Sequence, residues 1–188
     1  MLRPRRPPLH HGAMEPSEAL SVAAQIAVAL AGFAGVVVAF RSGALHEWSA
    51  RDKFRLYILL GNALIPLFAC LFGMLLLTIK PIPLSIWQWS SGFSFLLTCP
   101  FGFSTWRRLS QLGPSTIRNL GAFRYVFYAM GTVSTAVVLS QVYNALVAGV
   151  FWLFYAAIVF PLAIGILQFA LMILMPLSET SDEMPKTR

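Results

Sequence analysis

Five long stretches of this 188-residue sequence contain no Asp, Glu, Lys, Arg or His. A helix needs about 20 consecutive apolar residues to cross the hydrocarbon core of a bilayer, which is about 30 Å thick. Each stretch is long enough to do so. The sequence therefore predicts membrane-spanning helices at about 19–40, 56–79, 84–106, 125–147 and 150–176.

The composition excludes a water-soluble fold. Charged residues make up 11% of the chain and hydrophobic residues 57%, whereas a soluble domain carries about 25% charged residues. So few charges cannot cover the surface of a soluble domain of this size. The strands of a membrane β-barrel alternate apolar and polar residues, and residues 68–77 show no alternation. The predicted fold class is an all-α integral membrane bundle of about five transmembrane helices.

The predicted organisation is one transmembrane helical domain over residues 17–177. Residues 1–16 are predicted to be a disordered N-terminal tail and residues 178–188 a disordered cytoplasmic tail. Met14 is an alternative start of translation, which would remove three arginines. The last two helices are predicted to turn near Gly149, because glycine interrupts the apolar run there.

The distribution of Lys and Arg predicts the orientation of the helices. Cytoplasmic loops carry an excess of these residues. Most of them fall after the first helix, after the third helix and in the C-terminal tail. The opposite side has only Lys80 and the arginines of the N-terminal tail. We therefore expect the N-terminus outside the cell and the C-terminus in the cytoplasm.

The same basic residues predict a contact with anionic lipid at the cytoplasmic face, where each contributes about 1 kcal/mol of attraction. They act either as ordinary topology signals or as a specific lipid or partner site. The net charge of +7 comes without a nucleic-acid-binding motif, so we expect no nucleic-acid partner. The candidate headgroup-binding residues are Arg51, Lys53, Arg55, Arg107, Arg108, Arg118 and Arg124.

Aromatic residues gather near the ends of the predicted helices, as they do at membrane interfaces. Two groups are expected, one at each surface of the bilayer. The outer group is Trp87, Trp89, Tyr143 and Trp152, and the inner group is Tyr57, Trp106 and Tyr125.

The first predicted helix carries a small residue at every fourth position. Small residues allow another helix backbone to approach closely. Two interpretations stay open: the row packs on a helix of the same chain, or it is the seam of a homo-oligomer or of a complex with another membrane protein. The candidate packing residues are Ala23, Ala27, Ala31, Gly35 and Ala39.

Four uncharged amides fall in the outer third of the predicted helices: Gln25, Gln88, Gln141 and Asn144. Amides in membrane helices form hydrogen bonds between helices. The other interpretation is a polar pocket that opens outward.

The predicted helices contain no ionisable residue, and the three histidines lie outside them. Proton relays and ion-coupled carriers mostly use ionisable groups inside the membrane, and zinc sites need several convergent ligands. We therefore expect no enzyme activity, no catalytic residues, no metal site and no cofactor.

Residues 31–41 read AGFAGVVVAFR, followed by EWSARD at 47–52 and by Arg55-Leu56. This pattern resembles the start of small bacterial polytopic inner-membrane proteins. The resemblance covers about the first third of the chain and implies a prokaryotic source and a small polytopic protein, but no activity. The leading hypothesis for function is a structural, accessory or partner-binding membrane protein that acts through helix packing. The alternative is a small channel or permease for neutral or apolar solutes.

Overall fold

A computed structural model describes residues 14–40, 50–79, 81, 84–111 and 123–174. These residues contain five α-helices and no strand, which confirms the prediction of an all-α helix bundle. The predicted N-terminal tail lies largely outside the described residues, and the C-terminal tail lies entirely outside them. The helices are α1 (Pro16–Phe40), α2 (Ala50–Leu77), α3 (Ile86–Gln111), α4 (Phe123–Tyr143) and α5 (Phe151–Leu174).

Four of the helices, α1, α2, α4 and α5, are long and apolar enough to cross a membrane. The chain is therefore an integral membrane protein. The remaining helix, α3, is equally long but carries more polar side chains, among them Ser90, Ser91 and Ser94. These three serines are buried inside the protein, so they do not face lipid. A fifth crossing by α3 stays a prediction.

The helices pack around α2 and α5. The last helix, α5, contacts each of the other four, while α2 contacts α1, α3 and α5. On the two sides of this pair, α1 packs on α2 and α5, and α4 packs on α3 and α5. The apolar core lies mainly between α1, α2 and α5, and its buried residues are Leu20, Ala23, Ala27, Leu30, Ala34, Leu59, Ala63, Ala69, Cys70, Phe154, Ile158 and Leu162.

The connection between α4 and α5 is short and tightly closed. α4 ends at Tyr143 and continues directly into a π-helical segment, Asn144–Ala148. Gly149 follows in the left-handed conformation, with φ 60°, and its N–H donates to the backbone carbonyl of Asn144 at 3.0 Å. Only glycine adopts this conformation without a steric penalty, so Gly149 allows the chain to reverse within two residues.

Exposed aromatic residues mark both ends of the bundle. Trp89, Tyr143 and Trp152 are exposed near the α4–α5 turn, and Trp106 is exposed near the far end of α3. Tryptophan and tyrosine side chains prefer to lie at the membrane–water boundary. Trp87 differs from the expected interfacial group, because its ring is half-buried and packs on two aromatic rings of α5.

Candidate functional site

The row of small residues on α1 lies partly in the protein interior and partly on its surface. Ala23 and Ala27 are buried, Ala31 is half-buried, and Gly35 and Ala39 are exposed. An α-helix turns by about 100° per residue, so a repeat of four residues advances about 40° beyond a full turn at each step. The row therefore begins on the packed side of α1 and ends on its outer side.

The buried half of this row packs inside the same chain. Leu20 beside it approaches Gly73 of α2 so closely that a Cβ on Gly73 would lie 3.1 Å from the Leu20 side chain. Further along α1, the ring of Phe33 stacks on Phe169 of α5, with 5.2 Å between centroids. Ala23 and Ala27 belong to the same buried cluster as residues of α2 and α5, so this half of the row supports packing of α1 on those helices.

The outer side of α1 carries a second row, which the four-residue repeat does not show. Its members are separated alternately by three and four residues, and all of them are exposed. This spacing keeps side chains on one helix face and is the spacing of a helix–helix seam. Apart from the adjacent residues and backbone of α1 itself, no atom of the described residues would lie within 4 Å of a Cβ on Gly32 or Gly35. We call this row the docking face: Gln25, Val28, Gly32, Gly35 and Ala39.

The amide of Asn144 is fully buried and closes the α4–α5 turn. Its Nδ2 donates to the Ser91 hydroxyl of α3 at 2.7 Å and to the backbone carbonyl of Val150 at 3.0 Å. Its Oδ1 accepts from the N–H of Val150 at 2.8 Å. Asn144 therefore ties the turn to α3 and uses its donors and its acceptor within the protein.

The other three predicted pocket residues occupy different environments. Gln141 is buried and donates to the Leu153 carbonyl of α5 at 2.8 Å, while its Oε1 has no partner among the described residues. Gln88 is half-buried, and its Cγ would lie 3.2 Å from a Cβ on Gly149. Gln25 lies on the exposed side of α1. The structure thus gathers Gln88, Gln141 and Asn144 around the turn and leaves Gln25 on the surface.

Buried serines of α3 complete the polar cluster at the turn, and the sequence analysis did not single them out. Ser91 accepts the Asn144 hydrogen bond, and Ser90 donates to the Ile86 carbonyl at 2.9 Å. Ser90, Ser91 and Ser94 lie within one turn of each other on α3. Their spacing on one side of the helix is the sequence signal that could have indicated a buried polar face.

The described basic side chains lie at the start of α2 and near the end of α3. Lys53, Arg55, Arg107 and Arg108 are exposed. The Arg108 guanidinium lies over the Tyr57 ring, 4.3 Å from its centroid. Beside this contact, a groove of about 340 Å³ is lined by Phe103, Ser104, Arg107 and Arg108. Of the other predicted headgroup residues, Arg118 and the side chains of Arg51 and Arg124 lie outside the described part of the chain.

An apolar groove of about 270 Å³ lies between α4 and α5, along the parts of the two helices that are farther from the turn that joins them. Aliphatic and aromatic side chains line it, and the nearby Pro161 lies inside α5. A groove of this kind can hold a lipid chain but provides no group for proton transfer. Its lining residues are Ala129, Met130, Val133, Phe160, Ala163, Ile164 and Leu167.

No protein-family model, curated protein or solved structure matches this chain. We therefore infer its function from three features. These are the docking face, the polar cluster of Gln141, Asn144 and Ser91 at the α4–α5 turn, and the basic end of α3 with Arg107 and Arg108.

Proposed function

We propose that this integral membrane protein is a partner-binding or accessory subunit, and that α1 docks another transmembrane helix through the docking face. The observation that carries the proposal is the exposed position of Gly32 and Gly35, around which the protein leaves open space. Helices in lipid associate where small residues let their backbones approach. A second helix would meet no side chain from the described part of the chain at these two positions.

The exposed amide of Gln25 gives further support. This residue lies on the same face as the two glycines, inside the predicted span 19–40. A polar group in hydrocarbon is unfavourable unless it has a hydrogen-bond partner. A docked helix could provide one, and two copies related by a two-fold axis could pair their Gln25 side chains.

The experiment compares association of the wild-type protein with that of Gly35→Leu and Gly32→Leu. Donor- and acceptor-labelled copies are reconstituted together in liposomes, and energy transfer is followed as the protein is diluted with lipid. A bulky side chain on the docking face holds the helices apart, so we expect each variant to weaken association by at least about tenfold, or about 1.4 kcal/mol.

The matched control is Gly131→Leu, because Gly131 is also an exposed helical glycine whose Cβ position meets no described atom outside its own stretch of helix within 4 Å. It lies on α4 and should leave association unchanged. Equal loss in the control and in the docking-face variants would show that any added leucine perturbs the bundle.

A different partner protein is tested in host membranes. A photo-crosslinking residue replaces Val28 on the docking face or, as a control, the exposed Val133 on α4. We expect an adduct of defined mass from position 28 that disappears when Gly35→Leu is added. If position 28 yields no adduct and the labelled copies show no energy transfer, the proposal is wrong.

A channel for neutral solutes is the weaker proposal. It requires the outer amides to present free hydrogen-bonding groups to a common space. Asn144 instead bonds to Ser91 and Val150, and Gln25 is exposed on another helix. No solute flux through liposomes above the protein-free background is therefore expected.

We also propose that the protein lies in a bacterial inner membrane with its N-terminus outside. The distribution of Lys and Arg supports this orientation, and the pattern of residues 31–56 supports the bacterial source. A single cysteine introduced at Ser110, in a background without Cys70 and Cys99, tests the orientation. An impermeant thiol reagent added to intact cells should leave it unlabelled, whereas labelling without lysis would show the opposite orientation.

A further inference from the structure

We propose that the basic end of α3 binds the headgroup phosphate of an anionic phospholipid, in the groove lined by Phe103, Ser104, Arg107 and Arg108. This inference does not depend on the docking face. A general attraction between basic loops and a charged surface would not require a defined binding site, whereas this groove is one.

The position of the groove along α3 fits the phosphate layer of a bilayer. Phe103 is 58% exposed and Trp106 is 68% exposed, so large aromatic side chains face outward just before the two arginines. Aromatic rings prefer the headgroup boundary, and the guanidinium groups that follow them along the helix reach the phosphates. The exposed Phe103 ring beside the groove would contact the glycerol and upper acyl region of the same lipid.

The donors of the groove share one side of the helix. Ser104 precedes Arg107 by three residues and Arg108 by four, and residues at these separations are neighbours on a helix surface. A hydroxyl and two guanidinium groups can therefore donate to the oxygens of one phosphate. Arginine is suited to this, because its planar fork matches the geometry of a phosphate.

Arg108 is held in place before any lipid binds. Its guanidinium lies 4.3 Å from the centroid of the Tyr57 ring, and that ring packs on Phe101 with 5.3 Å between centroids. A cation over an aromatic face is attracted to it but keeps N–H donors at its edge. Tyr57 is thus a positioning residue that reduces the entropy lost when Arg108 binds a phosphate.

The acidic side chains that the structure describes lie far from this groove. Glu15 and Glu18 are at the start of α1, and α1 meets α2 near Gly73 at that end. Gly73 and Tyr57 are about 24 Å apart along α2, at about 1.5 Å per residue. These carboxylates therefore do not neutralise Arg107 or Arg108.

The test is native mass spectrometry of the full-length protein in detergent, titrated with phosphatidylglycerol or with phosphatidylcholine of the same acyl chains. We expect the first phosphatidylglycerol to bind at least about fivefold tighter than phosphatidylcholine. Arg107→Gln and Arg108→Gln should each weaken phosphatidylglycerol binding about fivefold and leave phosphatidylcholine binding unchanged. Tyr57→Leu should weaken it less than Arg108→Gln, because the charge remains.

The matched control is Arg55→Gln. The sequence made Arg55 a candidate headgroup-binding residue, but it lies on α2 and is not among the residues that line the groove, so removing its charge should change binding less than twofold. Arg107→Lys keeps the charge but loses the fork, so it should weaken binding about twofold, and it replaces Arg107→Gln if that variant does not fold.

Three results would overturn the proposal. An equal effect of Arg55→Gln would mean diffuse attraction, and equal affinity for the two lipids would mean no headgroup selection. Displacement of phosphatidylglycerol by inorganic phosphate at equal concentration would mean a site for a free anion.

Discussion

Gln25 and Asn144 both carry a side-chain amide, but the first amide is exposed and the second is buried. Asn144 is fully buried and hydrogen-bonded to α3 and to the turn before α5. Gln25 is exposed on the same face of α1 as Gly32 and Gly35, whose Cβ positions meet no described atom of another helix within 4 Å. The corner formed by α3, α4 and α5 thus satisfies the amide of Asn144, while the outer side of α1 leaves the amide of Gln25 to be satisfied from outside.

The difference indicates which part of the bundle is structural and which is available for binding. A buried amide with complete hydrogen bonding fixes one arrangement of helices, since any other arrangement would leave it unpaired. An exposed amide on the same face as small residues does not favour one arrangement of helices over another within the monomer. We therefore expect substitutions at the corner to change stability and substitutions on the docking face to change association.

The largest expected effect is that of Asn144→Ala. The substitution removes the hydrogen bonds to Ser91 and Val150 and leaves their polar groups buried, so it should lower the free energy of unfolding by about 2–4 kcal/mol. Gln25→Ala, measured on dilute monomer, should change it by less than about 0.5 kcal/mol. The measurement is unfolding by SDS titration, and similar losses in the two variants would break the comparison.

Gly149→Ala should lower stability by roughly 1–2 kcal/mol, the penalty for an L-residue in the left-handed conformation. The added Cβ would also lie 3.2 Å from Gln88. Gly131→Ala is the control, because it lies in the helical part of α4 with open space around it. That variant should be neutral or stabilising by up to about 1 kcal/mol, and a greater loss there than at Gly149 would contradict the role of the turn.

Ser91→Ala should cost about 1 kcal/mol, the usual value of a hydrogen bond between membrane helices. Ser91 accepts from the Asn144 amide, so the effects of Ser91→Ala and Asn144→Ala should not add. In a double-mutant cycle, Ser91→Ala should cost little when Asn144 is already alanine. Full additivity of the two unfolding free energies would show that this hydrogen bond does not couple α3 to the turn.

Among the substitutions at the corner, the smallest effect is expected for Gln141→Met. The change removes the hydrogen bond to the Leu153 carbonyl and also the buried Oε1, which has no partner among the described residues. The loss of a favourable bond and the removal of an unfavourable buried acceptor offset each other, so stability should change by less than about 1 kcal/mol. A loss as large as that of Asn144→Ala would mean that Oε1 has a partner, such as a buried water.

Much of the fold follows from the sequence because lipid restricts the backbone so strongly. A charge-free stretch such as 125–176 must satisfy its peptide groups internally, which selects helices. Glycine within that stretch indicated where it would turn, and the structure has Gly149 there with a positive φ. The docking face was harder to recognise in the sequence, because the small residues of α1 also match a four-residue repeat. That repeat shares only Gly35 and Ala39 with the docking face.

The sequence by itself thus determined the helical class, the membrane environment and the presence of a small-residue row on the first helix. A four-residue step advances about 40° beyond each turn of any α-helix, but only the tertiary structure decided that Ala23 and Ala27 are the packed part of this row, because α2 and α5 bury that side of α1. Only the tertiary structure joined Asn144 to Ser91 of α3, which is 53 residues away along the chain. Local patterns specify helices and their faces, but the pairing of faces depends on how the whole bundle buries its polar groups.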